Sequence, residues 1–224
     1  MFLNCAKGGH RHLTKFPDGV SFHGVGTHGL AEQRSAFRVP APPATADEYA
    51  AMIQRTPLRD HPPGLEFYDD LDNVGGMFVG PDWVIMLGLA DMQRLTCKVL
   101  TQWSPQVAAI YRSRSGATPN AHALYAFAVH SATLRCLAHE LGHALITAGS
   151  PNPFAPDGEA GADFYAGRFD AEMGRSPELG ALFFLSIGCT GGSCHHPSPS
   201  IRATAHRAGF DAQLMETRRY SATG

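Results

Sequence analysis

Between Pro119 and Ala148 the chain carries one long helical signal, and this segment constrains the fold more than any other. Leu124, Phe127, Leu134, Leu137, Leu141 and Leu145 recur at three- and four-residue steps or their sum, the period that gives a helix one apolar face. Thr118 is read as its N-cap, with Pro119 in the first helical position, where a missing N–H costs nothing. Gly149 supplies a stop, and Pro151 and Pro153 prevent continuation.

The other elements fall on either side of this helix. Residues 1–46 are rich in Gly, Pro, His and Ser, lack periodicity and end in Val39-Pro40-Ala41-Pro42-Pro43. They are expected to form an irregular N-terminal arm, with a short hairpin around Gly19–Gly29, and residues 47–224 a single domain. A short helix over Thr45–Gln54, capped by Thr45, should come first. Leu65–Tyr68, Gly76–Val79 and Trp83–Leu87 read as strands, the last two joined by the Val79-Gly80-Pro81-Asp82 turn. Asp91–Gln102 reads as a helix and Arg112–Asn120 as a polar loop. Beyond the long helix, Gly158–Met173 (capped by Asp157, stopped at Gly174), Pro177–Ile187 and Pro199–Ala208 (capped by Ser198) are helical. Strands followed by helices predict an α+β domain: a small N-terminal mixed or antiparallel sheet, an active-site helix and a helical C-terminal half.

Composition sets limits on function. A chain of 224 residues can bury a core without staples, and 44% apolar residues is ordinary for a globular protein. The net charge of −2 gives no electrostatic case for nucleic acid or an anionic membrane surface as partner. The opening residues lack the apolar run of a secretory signal, and no stretch is long and apolar enough for a membrane span, so a soluble, cytoplasmic protein is expected. Five cysteines at irregular spacing argue against a disulfide scaffold. Twelve histidines raise the prior for a metal site.

The chemistry concentrates in Ala138-His139-Glu140-Leu141-Gly142-His143-Ala144. Two histidines four apart on a helix project from one face and can reach one metal ion. Glu140, next to the first of them, can lie beside a water on that metal, take its proton as general base and pass a proton to the leaving group. The plain alternative is a helix with two surface histidines. A catalytic zinc site needs three protein ligands and an open position. Glu159, in the first turn of the next predicted helix, is the third candidate. Asp163, four residues on, shares its face and would hydrogen-bond the far nitrogen of a liganding histidine and fix its tautomer. Asp163 as the direct ligand with Glu159 outside remains open, and so does an acidic helix start favoured only by the dipole.

The pair H-E-x-x-H and E-x-x-x-D resembles the gluzincin zinc metallopeptidases, and the resemblance covers about residues 130–210. It implies a zincin-like fold, one zinc ion held by His139, His143 and Glu159, catalysis by Glu140, support from Asp163, and a peptide or protein substrate. Glu159-Ala160-Gly161-Ala162-Asp163 and the His196-Pro197-Ser198…Arg202 segment are similar to HtpX-type and prenyl-protein peptidases, although this chain lacks their membrane spans and has a shorter gap between motifs. By that resemblance His196 and Arg202 are candidates to stabilise an oxyanion, with Tyr165 and His206 in reserve. An edge strand near Gly76–Leu87 would accept an extended peptide, though core packing accounts for most of its residues.

Cys189 and Cys194 are read as two unpaired loop thiols, with a disulfide or a second metal site as alternatives, and nothing around Cys5 marks it as an inhibitory thiolate. Other readings of the same motif are a dedicated tailoring enzyme acting on one peptide-like or small-molecule substrate, a delivered effector protease, and a metal-stabilised binding module, against which an intact Glu140 argues.

Overall fold

The computed structural model describes residues 38–39, 43–68, 74–79, 82–187 and 197–222. The elements in chain order are β1 (Arg38–Val39), α1 (Pro43–Ile53), a 3-10 turn (Pro57–Asp60), β2 (Gly64–Tyr68), β3 (Val74–Val79), β4 (Asp82–Gly88), α2 (Leu89–Ser115), α3 (Ala121–Thr147), α4 (Gly158–Glu172), α5 (Pro177–Ile187) and α6 (Pro199–Ala222). The described chain is mostly helical, with one small sheet ahead of the helices. No described helix is long and apolar enough to cross a membrane.

The sheet has the order β1-β2-β4-β3 and is mixed, not antiparallel throughout. β3 and β4 form the expected hairpin, with Val79 opposite Asp82, while β4 also runs parallel to β2, pairing Phe67 with Leu87. Trp83–Leu87 is a continuous apolar run because β4 lies between two strands and is buried on both faces.

Helix α3 is the centre of the domain. From Ser131 to Gly142 every residue is buried, because α2, α4 and the sheet pack around it. A helix covered this completely has no solvent face, which is why its apolar stripe spreads around the cylinder. Met52, Phe67, Ile85, Leu137, Leu141 and Phe184 belong to one continuous core around it.

Several expected boundaries are corrected. The first helix begins at Pro43, inside the span assigned to the arm, and Thr45 is buried within it instead of capping it. Asn120, not Thr118, caps α3, its Oδ1 accepting the Ala123 N–H at 2.8 Å. α2 runs on through part of the expected loop to Ser115, where Gly116 at φ +70° ends it. It accommodates Pro105 by leaving helical geometry at Trp103 (φ −133°, ψ 18°), whose indole N–H donates to Ser186 Oγ at 3.1 Å. α6 continues past Ala208 to Ala222. Gly209, which looks like a stop in the sequence, is instead a contact: a Cβ there would lie 1.8 Å from the Phe164 carbonyl oxygen. Gly167 on α4 meets α6 as closely, at 1.9 Å from the His206 carbonyl oxygen. The hairpin expected around Gly19–Gly29 lies outside the described residues, as do Cys5, Cys189 and Cys194. Cys97 is disulfide-bonded.

Polar contacts inside this helical half were not foreseen. Asp170, with no exposure, accepts from Arg135 at 2.9 Å, His206 at 3.1 Å and Arg175 at 3.4 Å. Arg175 also pairs with Glu48 of α1, which His130 meets from α3. Burial by itself would raise the Asp170 pKa, but Arg135, then His206 and Arg175, outweigh it and hold it below the usual carboxylate range.

Gly167→Ala should destabilise the fold by about 3 kcal/mol, since the added methyl meets backbone, which denaturant unfolding would measure. A depressed carboxylate contributes stability above its unfolded-state pKa of about 4, and that stability is lost as pH falls through the folded-state value. Melting temperature should therefore drop steeply below about pH 4. Asp170→Asn should cost about 3–5 kcal/mol at neutral pH by stranding Arg135, and it should show a shallower acid decline.

Candidate metal centre

Two local features bring the motif residues together. Gly142, inside the H-E-x-x-H turn, faces Ala162 of α4 so closely that a Cβ would stand 2.7 Å from the Ala162 carbonyl oxygen. Residues flanking that contact, His139 and His143 on α3 and Glu159 and Asp163 on α4, are thereby held against one another. The connection between the helices also ends in a fixed way. Gly149 turns out of α3 at φ +92°, and the Asp157 side chain caps α4 by accepting from the Ala160 N–H at 3.0 Å. Asn152 braces the turn, its Nδ2 donating to the Asp157 carbonyl and its Oδ1 accepting from the Phe154 N–H.

The three candidate ligand side chains mark the corners of a triangle. His139 Nε2 and His143 Nε2 are 3.1 Å apart, Glu159 Oε2 is 3.3 Å from His139 Nε2, and Glu159 Oε1 is 3.4 Å from His143 Nε2. A tetrahedral zinc ion with bonds of about 2.0–2.1 Å separates its ligand atoms by roughly 3.3 Å. The separations here are of that size, each Glu159 oxygen being measured to a different histidine, and two imidazoles with one carboxylate are a donor set suited to zinc. Among the described residues, these three make the group of His, Cys, Asp and Glu side chains able to hold a metal ion. Asp163 is not one of them, which leaves Glu159 as the third candidate ligand.

Asp163 does a different job. Fully buried, it accepts the His139 Nδ1–H at 2.7 Å, which in the neutral ring puts the lone pair on Nε2, the atom that faces His143 and Glu159. Arg202 grips the same carboxylate with both ends of its guanidinium, Nε to Oδ2 at 2.7 Å and a terminal nitrogen to Oδ1 at 2.8 Å. That nitrogen also comes within 3.4 Å of His139 Nδ1, and the guanidinium lies 5.3 Å from the centre of the Phe184 ring. Burial lowers the His139 pKa, but the Asp163 charge and hydrogen bond, with help from Glu159, more than offset it and push it up to about 10 in the metal-free protein. Burial would raise the Asp163 pKa, and His139 and Arg202 hold it below the ordinary range.

Arg202 therefore stands on the Nδ1 edge of His139, opposite the candidate ligand triangle, with its guanidinium on Asp163. Tyr165 is also committed, its hydroxyl donating to the Pro151 carbonyl at 2.8 Å, and His206 sits on Asp170. His196 lies outside the described residues. Cys136, one turn before Glu140, is a free thiol that burial keeps protonated, so it supplies no thiolate.

Glu140 differs from every other buried acid here. It is only 7% exposed, yet it has no hydrogen-bond or ion-pair partner among the described residues. Asp163 and Asp170, with no exposure at all, are each met by two or more cationic or N–H groups.

No family model, curated protein or solved structure matches the chain.

If Asp163 and Arg202 orient His139, then Asp163→Asn and Arg202→Gln should each weaken zinc affinity by about 10- to 100-fold, read by competition with a chromophoric chelator. An Arg202→Gln protein with unchanged affinity would remove the arginine from that role.

Proposed function

We propose that the chain is a zinc-dependent metallopeptidase of zincin-like architecture, hydrolysing peptide bonds in a peptide or protein substrate. Glu140 carries this reading. Little exposed yet uncommitted among the described residues, its carboxylate is free to take up a proton, a freedom that a purely structural metal site would not need. Positioned beside His139, it is what a general base requires.

His139, His143 and Glu159 would hold the ion and leave one coordination position free. The ion supplies a Lewis acid that polarises a carbonyl oxygen and makes water acidic enough to attack near neutral pH. Glu140 would accept the proton of the attacking water on a carboxylate oxygen. It would then deliver that proton to the amide nitrogen as the C–N bond breaks, so that the base of the first step is the acid of the second. Asp163 keeps the proton of His139 on Nδ1 throughout, and Arg202 keeps Asp163 ionised.

The test pairs wild type with Glu140→Gln on a diverse peptide library, with cleavage read by mass spectrometry and metal content measured on both. Wild type should cut, while the variant should retain one zinc per chain and lose at least about 100-fold in rate. Equal cleavage by a zinc-loaded variant would rule out Glu140 as the base.

A further inference from the structure

The second buried carboxylate suggests a role for a residue remote from the ligands. Asp163 and Asp170 lie seven apart on α4, both without exposure, and each receives one side chain from α3 and one from α6. At the upper level these are His139 and Arg202, and at the lower level Arg135 and His206. On both α3 and α6 the two contributing positions are four apart, one helical turn. Two similar polar rungs thus join the same three helices, and only the upper one touches a candidate metal ligand.

Between α4 and α6 the backbones come into direct contact at two glycines. Gly167 lies under the His206 carbonyl and Gly209 under the Phe164 carbonyl. Backbone against backbone gives close approach but few interlocking ridges, so directional contacts must set how far α6 is displaced along its axis. Arg168 of α4 makes such contacts with Gln213 and Glu216 toward the far end of α6, and in the turn next to Arg202 they converge on His206. Its backbone rests on Gly167, and its Nε2 meets Asp170 at 3.1 Å. Its ring packs 5.2 Å from that of Phe184 and fills the space beside Gly180 of α5, where a Cβ would lie 2.1 Å from its Cε1. One turn earlier on α6 is Arg202, whose grip on Asp163 depends on that displacement.

We propose that His206 is a positioning residue for the metal centre: through Asp170 it fixes the axial placement of α6, so that Arg202 reaches Asp163 and His139 presents Nε2. The inference rests on the metal reading above, and one set of zinc titrations separates the two. Zinc affinity would be measured by chelator competition for wild type, His206→Gln, His206→Leu, Arg202→Gln and the double variant His206→Leu/Arg202→Gln, with Val107→Ala as a buried control away from the site.

Wild type that binds no zinc would defeat the metal reading itself. Given binding, His206→Leu should weaken it about tenfold. His206→Gln, which keeps an N–H for Asp170, should restore most of the loss, and Val107→Ala should lower the melting temperature without changing affinity. Because His206 acts through Arg202, the leucine change should have little further effect in the Arg202→Gln background, a non-additivity that general destabilisation would not produce. Unchanged affinity in His206→Leu, or fully additive losses in the double variant, would overturn the proposal. If His206→Leu does not fold, Gly180→Ala, which displaces the ring, takes its place in the cycle with the same expected and contrary results.

Discussion

A carboxylate with no exposure stays ionised only where cations or N–H groups meet it, and Asp163 is met by His139 and by both ends of the Arg202 guanidinium. Much of the domain serves that meeting. α3 must be buried for His139 to leave water, α4 must approach it over Gly142 for Asp163 to reach the ring, and α6 must lie against α4 over Gly167 for Arg202 to arrive from behind. The ligand triangle is the outer edge of this assembly. Its precision comes from an imidazole held by a carboxylate that is itself held.

The arrangement also separates two uses of buried charge. Asp163 and Asp170 are neutralised in place, and removing a partner from either leaves an uncompensated charge in the core. Glu140 is enclosed to a similar degree without such a partner among the described residues. That contrast is what the proposed function draws on, with Glu140 serving chemistry and the two aspartates serving geometry.

The parts legible in the sequence were those with a local cause. Apolar spacing located α3, a capping aspartate and a following glycine bounded α4, and the spacing of His139, His143, Glu159 and Asp163 foretold which side chains would meet. What escaped notice depended on partners far along the chain. Gly209 looks like a terminator until Phe164 is seen against it, and Pro105 looks like a break until Trp103, held by the distant Ser186, takes up the kink. Arg135 sits in an apolar run as though misplaced, because its partner Asp170 lies on another helix. Arg202 was noticed for its motif, but the sequence could not say which edge of His139 it would occupy. The parallel pairing of β2 with β4 likewise has no local signature, since it depends on β3 passing to the far side of β4.

The most direct test of the metal centre is anomalous diffraction at the zinc edge from crystals grown with one equivalent of zinc. The account predicts a single peak about 2.0–2.1 Å from Nε2 of His139, Nε2 of His143 and a carboxylate oxygen of Glu159. His139 Nδ1 should remain on Asp163. A peak held by other residues, or none beside these three, would contradict it.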